Sequence, residues 1–400
     1  MSFRFGRACV LSVAGVVLIC APAMAQNAAT AGESAALRLG PVGITPRFGL
    51  RDLGIDTNVF NLSGSARRDS TATFVAGTDT WVRVGRADFT GKTDIDWHYF
   101  RTSADQRTLN FSQTGHVEVD LFRLVPRAGG AFLNSRQRPN DEIDVRVQQR
   151  NVAGLVGVLV PVGSRSRLDF EWKQQTFDYS TGRFGSEPIA AALNRTSTTA
   201  TLTAGYDLTP LTKVVVQADT REDRFSFTPV RNSDSLRVMP GLEFEPTALI
   251  SGKVLVGYRR FRTPSAAVPD LTGLVASVEL KYVAADAYRI TGQINRDVDY
   301  SLDPGDSIYV SSSLGLDLAR AVNLSWDVVG RVRHATLNYK AVVPAAGRVD
   351  RTWTAGAGVG RRLGTRMRVG IDADFVSRAS PRRDRTFEGM RYGVSVTYGY

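Results

Sequence analysis

Met390-Arg391-Tyr392-Gly393-Val394-Ser395-Val396-Thr397-Tyr398-Gly399-Tyr400 is the stretch that decides the fold. Met390, Tyr392, Val394, Val396, Tyr398 and Tyr400 are apolar or aromatic at every second position, with small or polar residues between them. Alternate side chains of a strand point to opposite faces, so this stretch has one greasy face and one small or polar face. Any half-buried antiparallel strand alternates in this way. The fold therefore turns on whether the pattern repeats upstream.

It repeats along nearly the whole chain. Phe89, Thr93, Ile95, Trp97 and Tyr99 share one parity, and Lys92, Asp94, Asp96 and His98 the other. Leu109, Phe111, Val117, Val119 and Leu121 then alternate with Asn110, Ser112, Thr114, His116, Glu118 and Asp120. Charge at every second residue fits no helical stripe. Reading on gives about 18 strands, the first over Ile44 to Phe60 and the last over 386–400. An even number suits a single-chain bacterial barrel.

Connection lengths are a second test. Reversals near Gly85 to Asp88, Leu124 to Pro126, Gly163 to Ser166, Thr209 to Leu211, Pro246 to Ala248, Ala284 to Asp286, Ala319 to Ala321 and Leu363 to Thr365 are short. Those between them are mostly longer and rich in Pro, Gly, Ser and charge, as at Asn61 to Thr71 and Gln137 to Asp144; the ones near Ala104 and at Asp303 to Gly305 are tight. Alternating short turns and long loops are what a membrane barrel presents on its two rims.

The amino-terminus carries Arg4 and Arg7, an apolar run from Ala8 to Ala21, and Ala23-Met24-Ala25 before Gln26. This is the three-part form of a secretory signal cleaved after Ala25, and the run is too short for a spanning helix. Ala- and Gly-rich residues 26–43 read as a flexible periplasmic lead-in, and 44–400 as the barrel. Cys9 and Cys20, the two cysteines, lie inside the signal, so no disulfide, thiolate nucleophile or Cys metal site is expected in the exported chain. The 50 basic residues, less Arg4 and Arg7, against 39 acidic ones leave +9 after cleavage. Spread along the chain of an exported protein, this excess favours anionic sugars or solutes, or anionic lipid headgroups, over nucleic acid.

The aromatic carboxy-terminal strand resembles the terminal signal of Gram-negative outer-membrane β-barrels, with Tyr400 where Phe is usual. The entry strand with Gly54-Ile55-Asp56-Thr57-Asn58-Val59-Phe60 resembles the β-barrel porins often associated with exopolysaccharide systems. Thr57 between Asp56 and Asn58 departs slightly from that pattern. The resemblance implies an all-β fold, a transmembrane antiparallel up-and-down β-barrel in the outer membrane with a transport role, and carries no catalytic residues. It also implies outer-membrane lipid, the barrel-assembly machinery and periplasmic exopolysaccharide components as partners.

If the apolar face meets lipid, the other face lines a lumen. The expected pore-lining set is Lys92, Asp94, Asp96, Glu118, Asp120, Arg167, Asp169, Glu171, Lys173, Arg289, Asp297, Asp327, Arg331, Arg333, Arg366, Arg368, Asp372 and Asp374. Taken singly, each could merely brace the wall; together they need water, and charged rings in a pore select solutes. The carboxyl half supplies most of the arginines, which predicts a locally basic wall there. Tyr392, Val394, Val396, Tyr398 and Tyr400 form the expected assembly signal. Trp81, Trp97, Trp172, Trp326 and Trp353 suit aromatic girdles.

No cofactor or metal motif is visible. There is no His-x-x-x-His, EF-hand-like acidic loop or phosphate-cradling glycine loop. An enzyme reading has one foothold. A hairpin register with paired numbers summing to 210 would set His98 opposite Ser112 and Asp94 opposite His116, a barrel lipase or esterase arrangement that only geometry can establish. His334, beside Arg331 and Arg333, reads as a rim or lumen side chain. The leading reading is a porin-like channel for passive passage of small or anionic or saccharide solutes; a structural or adhesive surface barrel with a blocked lumen competes with it, and a soluble sandwich competes with the barrel itself. The sandwich predicts extraction without detergent.

Overall fold

The structure, a computed structural model, describes residues 35–399 except 181, 186, 246–248, 265–269, 285–286, 303–307 and 341–346. The expected signal peptide, most of the lead-in, Tyr400, the expected turn at Pro246 to Ala248, most of that at Ala284 to Asp286 and the expected tight connection at Asp303 to Gly305 lie outside the described residues.

Eighteen antiparallel strands follow one another around a closed sheet. They are β1 Val42–Asp56, β2 Asp69–Val84, β3 Ala87–Phe100, β4 Thr108–Val119, β5 Val125–Gln137 and β6 Val147–Val162. Next come β7 Ser166–Tyr179, β8 Arg195–Thr209, β9 Thr212–Phe225, β10 Ser233–Phe244, β11 Ile250–Arg262 and β12 Leu271–Ala284. The circuit ends with β13 Tyr288–Tyr300, β14 Ile308–Ala321, β15 Trp326–Lys340, β16 Val349–Leu363, β17 Met367–Ala379 and β18 Phe387–Tyr398. A three-residue strand, Leu37–Leu39, folds back on Val42 to Ile44 just before β1. Among the described residues the one α-helix is α1, Ile189–Leu193, and no helix is long and apolar enough to cross a membrane.

Each strand pairs with its sequence neighbours, and β18 closes the ring on β1 from Phe48 opposite Tyr398 to Asp56 opposite Arg391. Among the described residues that closing ladder has seven paired positions, the fewest in the ring, and is interrupted between Leu50 and Leu53. Asp52 sits there with a φ of 53°, its carboxylate accepting from Thr73 Oγ1 at 3.2 Å and its carbonyl from Thr71 Oγ1 at 2.9 Å. These two bonds hold a bulge, an extra residue that bends the strand.

Short turns gather on one rim and long connections on the other, the former periplasmic in bacterial barrels. Gly85, Gly163 and Gly364 take φ of 60–69° in three of the tight turns, which an L side chain resists. Three boundaries differ from the sequence reading because short polar side chains cap the backbone locally. Asp56 Oδ1 accepts from Asn58 N at 2.9 Å and ends β1 before Phe60. Asp120 Oδ1 accepts from Phe122 N, so that turn precedes Leu124. Asn323 Oδ1 accepts from both Ser325 and Trp326 N–H groups, which moves the expected Ala319 to Ala321 reversal to 322–325.

The apolar parity faces outward. Phe74, Trp97, Trp172, Leu202, Leu316, Trp326, Trp353, Ile371 and Tyr392 are all exposed on the barrel's exterior, where Phe74 stacks on Trp97 at 5.2 Å. Two aromatic expectations are corrected. Trp81 has the parity opposite to exposed Phe74 and is half-buried on the inner side. His334 has the parity of exposed Val332 and stacks on outward Trp353 at 4.3 Å, so it is not a lumen side chain.

Candidate functional site

The inner wall is built on a repeated row of three. Arg331 of β15 lies opposite Gly356 of β16, which lies opposite Asp374 of β17. With no side chain between them, Arg331 and Asp374 join over the glycine in two hydrogen bonds of 2.5 and 2.6 Å. Arg47, Gly77 and Asp94 repeat the arrangement across β1, β2 and β3, with a 2.8 Å ion pair. Arg127, Gly157 and Glu171 repeat it across β5, β6 and β7 at 3.1 Å. A Cβ on Gly356 would stand 2.1 Å from Asp374 Oδ1, and one on Gly77 2.7 Å from Asp94 Oδ1. The glycines let long charged side chains lie flat against the wall, and in the Arg331–Asp374 row bidentate Arg–carboxylate geometry fixes them.

Above these rows, the connection between β5 and β6 (residues 138–146) turns inward and reaches the far wall. Asp141 pairs with Arg333 of β15 at 2.9 Å, and Asp144 with Arg378 of β17 at 2.7 Å and Arg385 at 3.6 Å. Glu142 is fully buried, accepting from Ser301 Oγ at 2.6 Å and Leu302 N at 2.9 Å. Arg138 donates to the Val59 carbonyl at 2.9 Å, and Asn61 donates to Asp144 at 3.1 Å. The segment is thus a strap across the lumen. Burial raises the Glu142 carboxyl above its ordinary value and pulls the Arg138 guanidinium down to about 10. Arg146, buried and near Arg138, falls to about 9.

One side of the strap is filled. Ile143 packs with Val147, Tyr179, Phe225, Phe261, Tyr300, Leu302 and Ile308, and with Ile189 and Leu193 of α1. The other side is a cavity of about 540 Å³ that runs from Gly364, Thr365 and Arg366 at the short-turn rim to Asn140 and Asp141 of the strap. Its lining holds eleven arginines (Arg51, Arg138, Arg289, Arg320, Arg331, Arg333, Arg362, Arg366, Arg368, Arg378 and Arg391) against seven aspartates. Among the described residues, no lysine or glutamate lines it.

Most of the expected lumen set has inward parity. Asp94 and Asp96 meet Arg47 and Arg51, Asp169 and Glu171 meet Arg127, and Arg167 meets Glu243. Asp297 joins Arg237 and Arg259, and Asp327 joins Arg368 at 2.8 Å. Lys92 pairs with Asp94, Glu118 lies 3.8 Å from His116, and Ser395 donates to Asp372. Lys173 is half-buried on the same parity as Glu171. Arg289, Arg331, Arg333, Arg366, Arg368, Asp372 and Asp374 share the cavity. Asp120 is a correction: past the end of β4, it sits exposed in a turn. Arg366 likewise sits in the β16–β17 turn, at the cavity's mouth.

The register expected for His98 and Ser112 is also corrected. His98 lies opposite Thr108 and Asp94 opposite Ser112, a slip of four in the sum, while His116 faces Thr90. His98 Nδ1 instead meets Thr73 Oγ1 at 3.1 Å. The strap was missed because a loop has no period to read; its signal was the acidic Asp141, Glu142 and Asp144 between Arg138 and Arg146. The glycine rows had a signal too, at Gly356, Gly358 and Gly360.

The family model described as "Putative beta-barrel porin 2" matches residues 32–400. The chain belongs to this family. It is an outer-membrane β-barrel of the porin class. No curated protein matches it. Among solved structures, it is similar to a BenF-like porin from Pseudomonas fluorescens, at 9% identity and a TM-score of 0.49, over 90% of this chain and 98% of that one. It is similar also to the FrpB iron transporter from Neisseria meningitidis, at 9% identity and a TM-score of 0.42, over 91% of this chain and 65% of that one. A bacterial polysaccharide outer membrane secretin is similar at 7% identity and a TM-score of 0.37, over 89% and 98%. The chain spans less than two thirds of the length of the FrpB chains it matches.

Proposed function

We propose that this barrel is a porin-like channel, not an enzyme, for passive passage of small or anionic or saccharide solutes across the outer membrane. The arginine excess along the cavity carries the reading. Arginine is weakly hydrated and presents a planar fork, so a wall of it attracts and orients carboxylates and phosphates. Reconstitution in a planar bilayer under a salt gradient tests it. A reversal potential on the anion side is expected; cation preference, or no conductance at any voltage, would refute it.

Service to exopolysaccharide export follows from the entry-strand resemblance alone. Deleting the protein should then lower secreted polysaccharide. The strap and the apolar packing beside it favour a second reading, a surface barrel blocked by its own loops. That reading predicts a silent channel even with the strap freed.

A further inference from the structure

Resting on the channel reading, we infer that Arg333, Arg378 and Arg385 form a carboxylate-binding site of the lumen, occupied by the strap's own Asp141 and Asp144, from which an acidic oligosaccharide displaces them. Each contact has the chemistry of ligand recognition. Arg333 takes Asp141 with both terminal nitrogens, at 2.9 and 3.4 Å. Arg378 takes the Asp144 carboxylate at 2.7 Å and also donates to the Asp141 carbonyl, while Arg385 donates to the Glu142 carbonyl. Arg378 and Arg385 are almost fully buried, their side chains 5% and 4% exposed. Such guanidinium groups cannot be left without anions. Anything that lifts the strap must therefore replace its carboxylates.

The replacement has a place to wait. Arg333, Arg378, Asn140 and Asp141 all line the arginine cavity, whose volume of about 540 Å³ lies within the range of small-ligand sites. From the short-turn rim, Arg366, Arg368, Arg331 and Arg333 mark its wall up to the strap. A solute with several carboxylates engages this wall from below and competes for the last two positions. The strap then acts as an internal competitor, and the solute opens its own path.

The test uses refolded full-length protein, trigalacturonate as the acidic probe and maltotriose as its uncharged counterpart. Removing the competitor with Asp141→Asn/Asp144→Asn should tighten trigalacturonate binding by about tenfold or more. Trigalacturonate should raise the conductance of the wild type above its basal level, and the double variant should show the raised level without it. Equal or weaker binding by the variant overturns the inference, as does an equal effect of maltotriose. If the double variant fails the heat-modifiability check for folding, Asp141→Asn alone must show tighter binding. Tighter binding with no conductance from any form would leave the carboxylate site standing and sink the channel reading. Conductance with unchanged binding would do the reverse.

Discussion

Arg331 and Asp374, on strands that do not touch, bind each other in two hydrogen bonds across Gly356. The barrel wall is therefore cross-braced two strands at a time, and this brace crosses the middle strand at a position with no side chain. Gly356→Val should break it, because a Cβ there falls 2.1 Å from Asp374 Oδ1. We expect a loss of about 1–3 kcal/mol from overpacking. It should register as a lower midpoint of heat modifiability, together with altered conductance as Arg331 swings into the lumen. Gly154→Ala, on the outer face of β6 where an added Cβ meets nothing within 4 Å, should leave conductance unchanged.

Glu142 makes the strap pH-dependent. Burial raises its carboxyl above the ordinary 4.5, against the lowering by Ser301 and Leu302 donors and by Arg385 and Arg348. Arg231, Tyr309 and Tyr339 also feel its charge. A raised value means that the docked strap holds the proton more tightly than the free one. That contribution is complete below 4.5 and lost as pH rises through the raised value. Conductance should accordingly rise with pH across this window, and Glu142→Gln should flatten the slope. An unchanged slope in the variant would exclude Glu142 as its source.

The two faces should respond oppositely to charge. Leu316 faces outward midway along β14, and Gln293 faces the cavity from β13. Leu316→Arg should cost about 2–4 kcal/mol at the bilayer midplane, read as lost folding yield in lipid vesicles. Gln293→Arg should fold normally and strengthen anion preference.

Deleting residues 398–400 should damage assembly more than Asp372→Asn does. Tyr398 pairs with both Phe48 and Met367, and the Gly399 N–H is held by the Arg366 carbonyl at 2.9 Å. The ratio of folded to unfolded protein in isolated membranes decides between the two variants.

The strands were legible because a wall with lipid on one side and water on the other forces a period of two. The carboxy-terminal strand's outward Tyr392 and inward Arg391 could be assigned from that alone. The hairpin holding His98 could not, since sliding one strand by two preserves every face and changes every partner. The strap was less legible still. Asp141, Glu142 and Asp144 look like ordinary surface charges until Arg333, Arg378 and Ser301, some 160 to 240 positions away in sequence, supply their partners.

The bulge at Asp52 bears on how the ring comes to be a ring. Seven paired positions, broken in the middle, join β1 to β18, whereas β14 and β15 share fourteen. A sheet that must circularise does so at one junction, and here it is the one with least backbone cohesion. Pulled from either end, the protein should unfasten there first and peel strand by strand. In folding, the same junction should be the last to fasten.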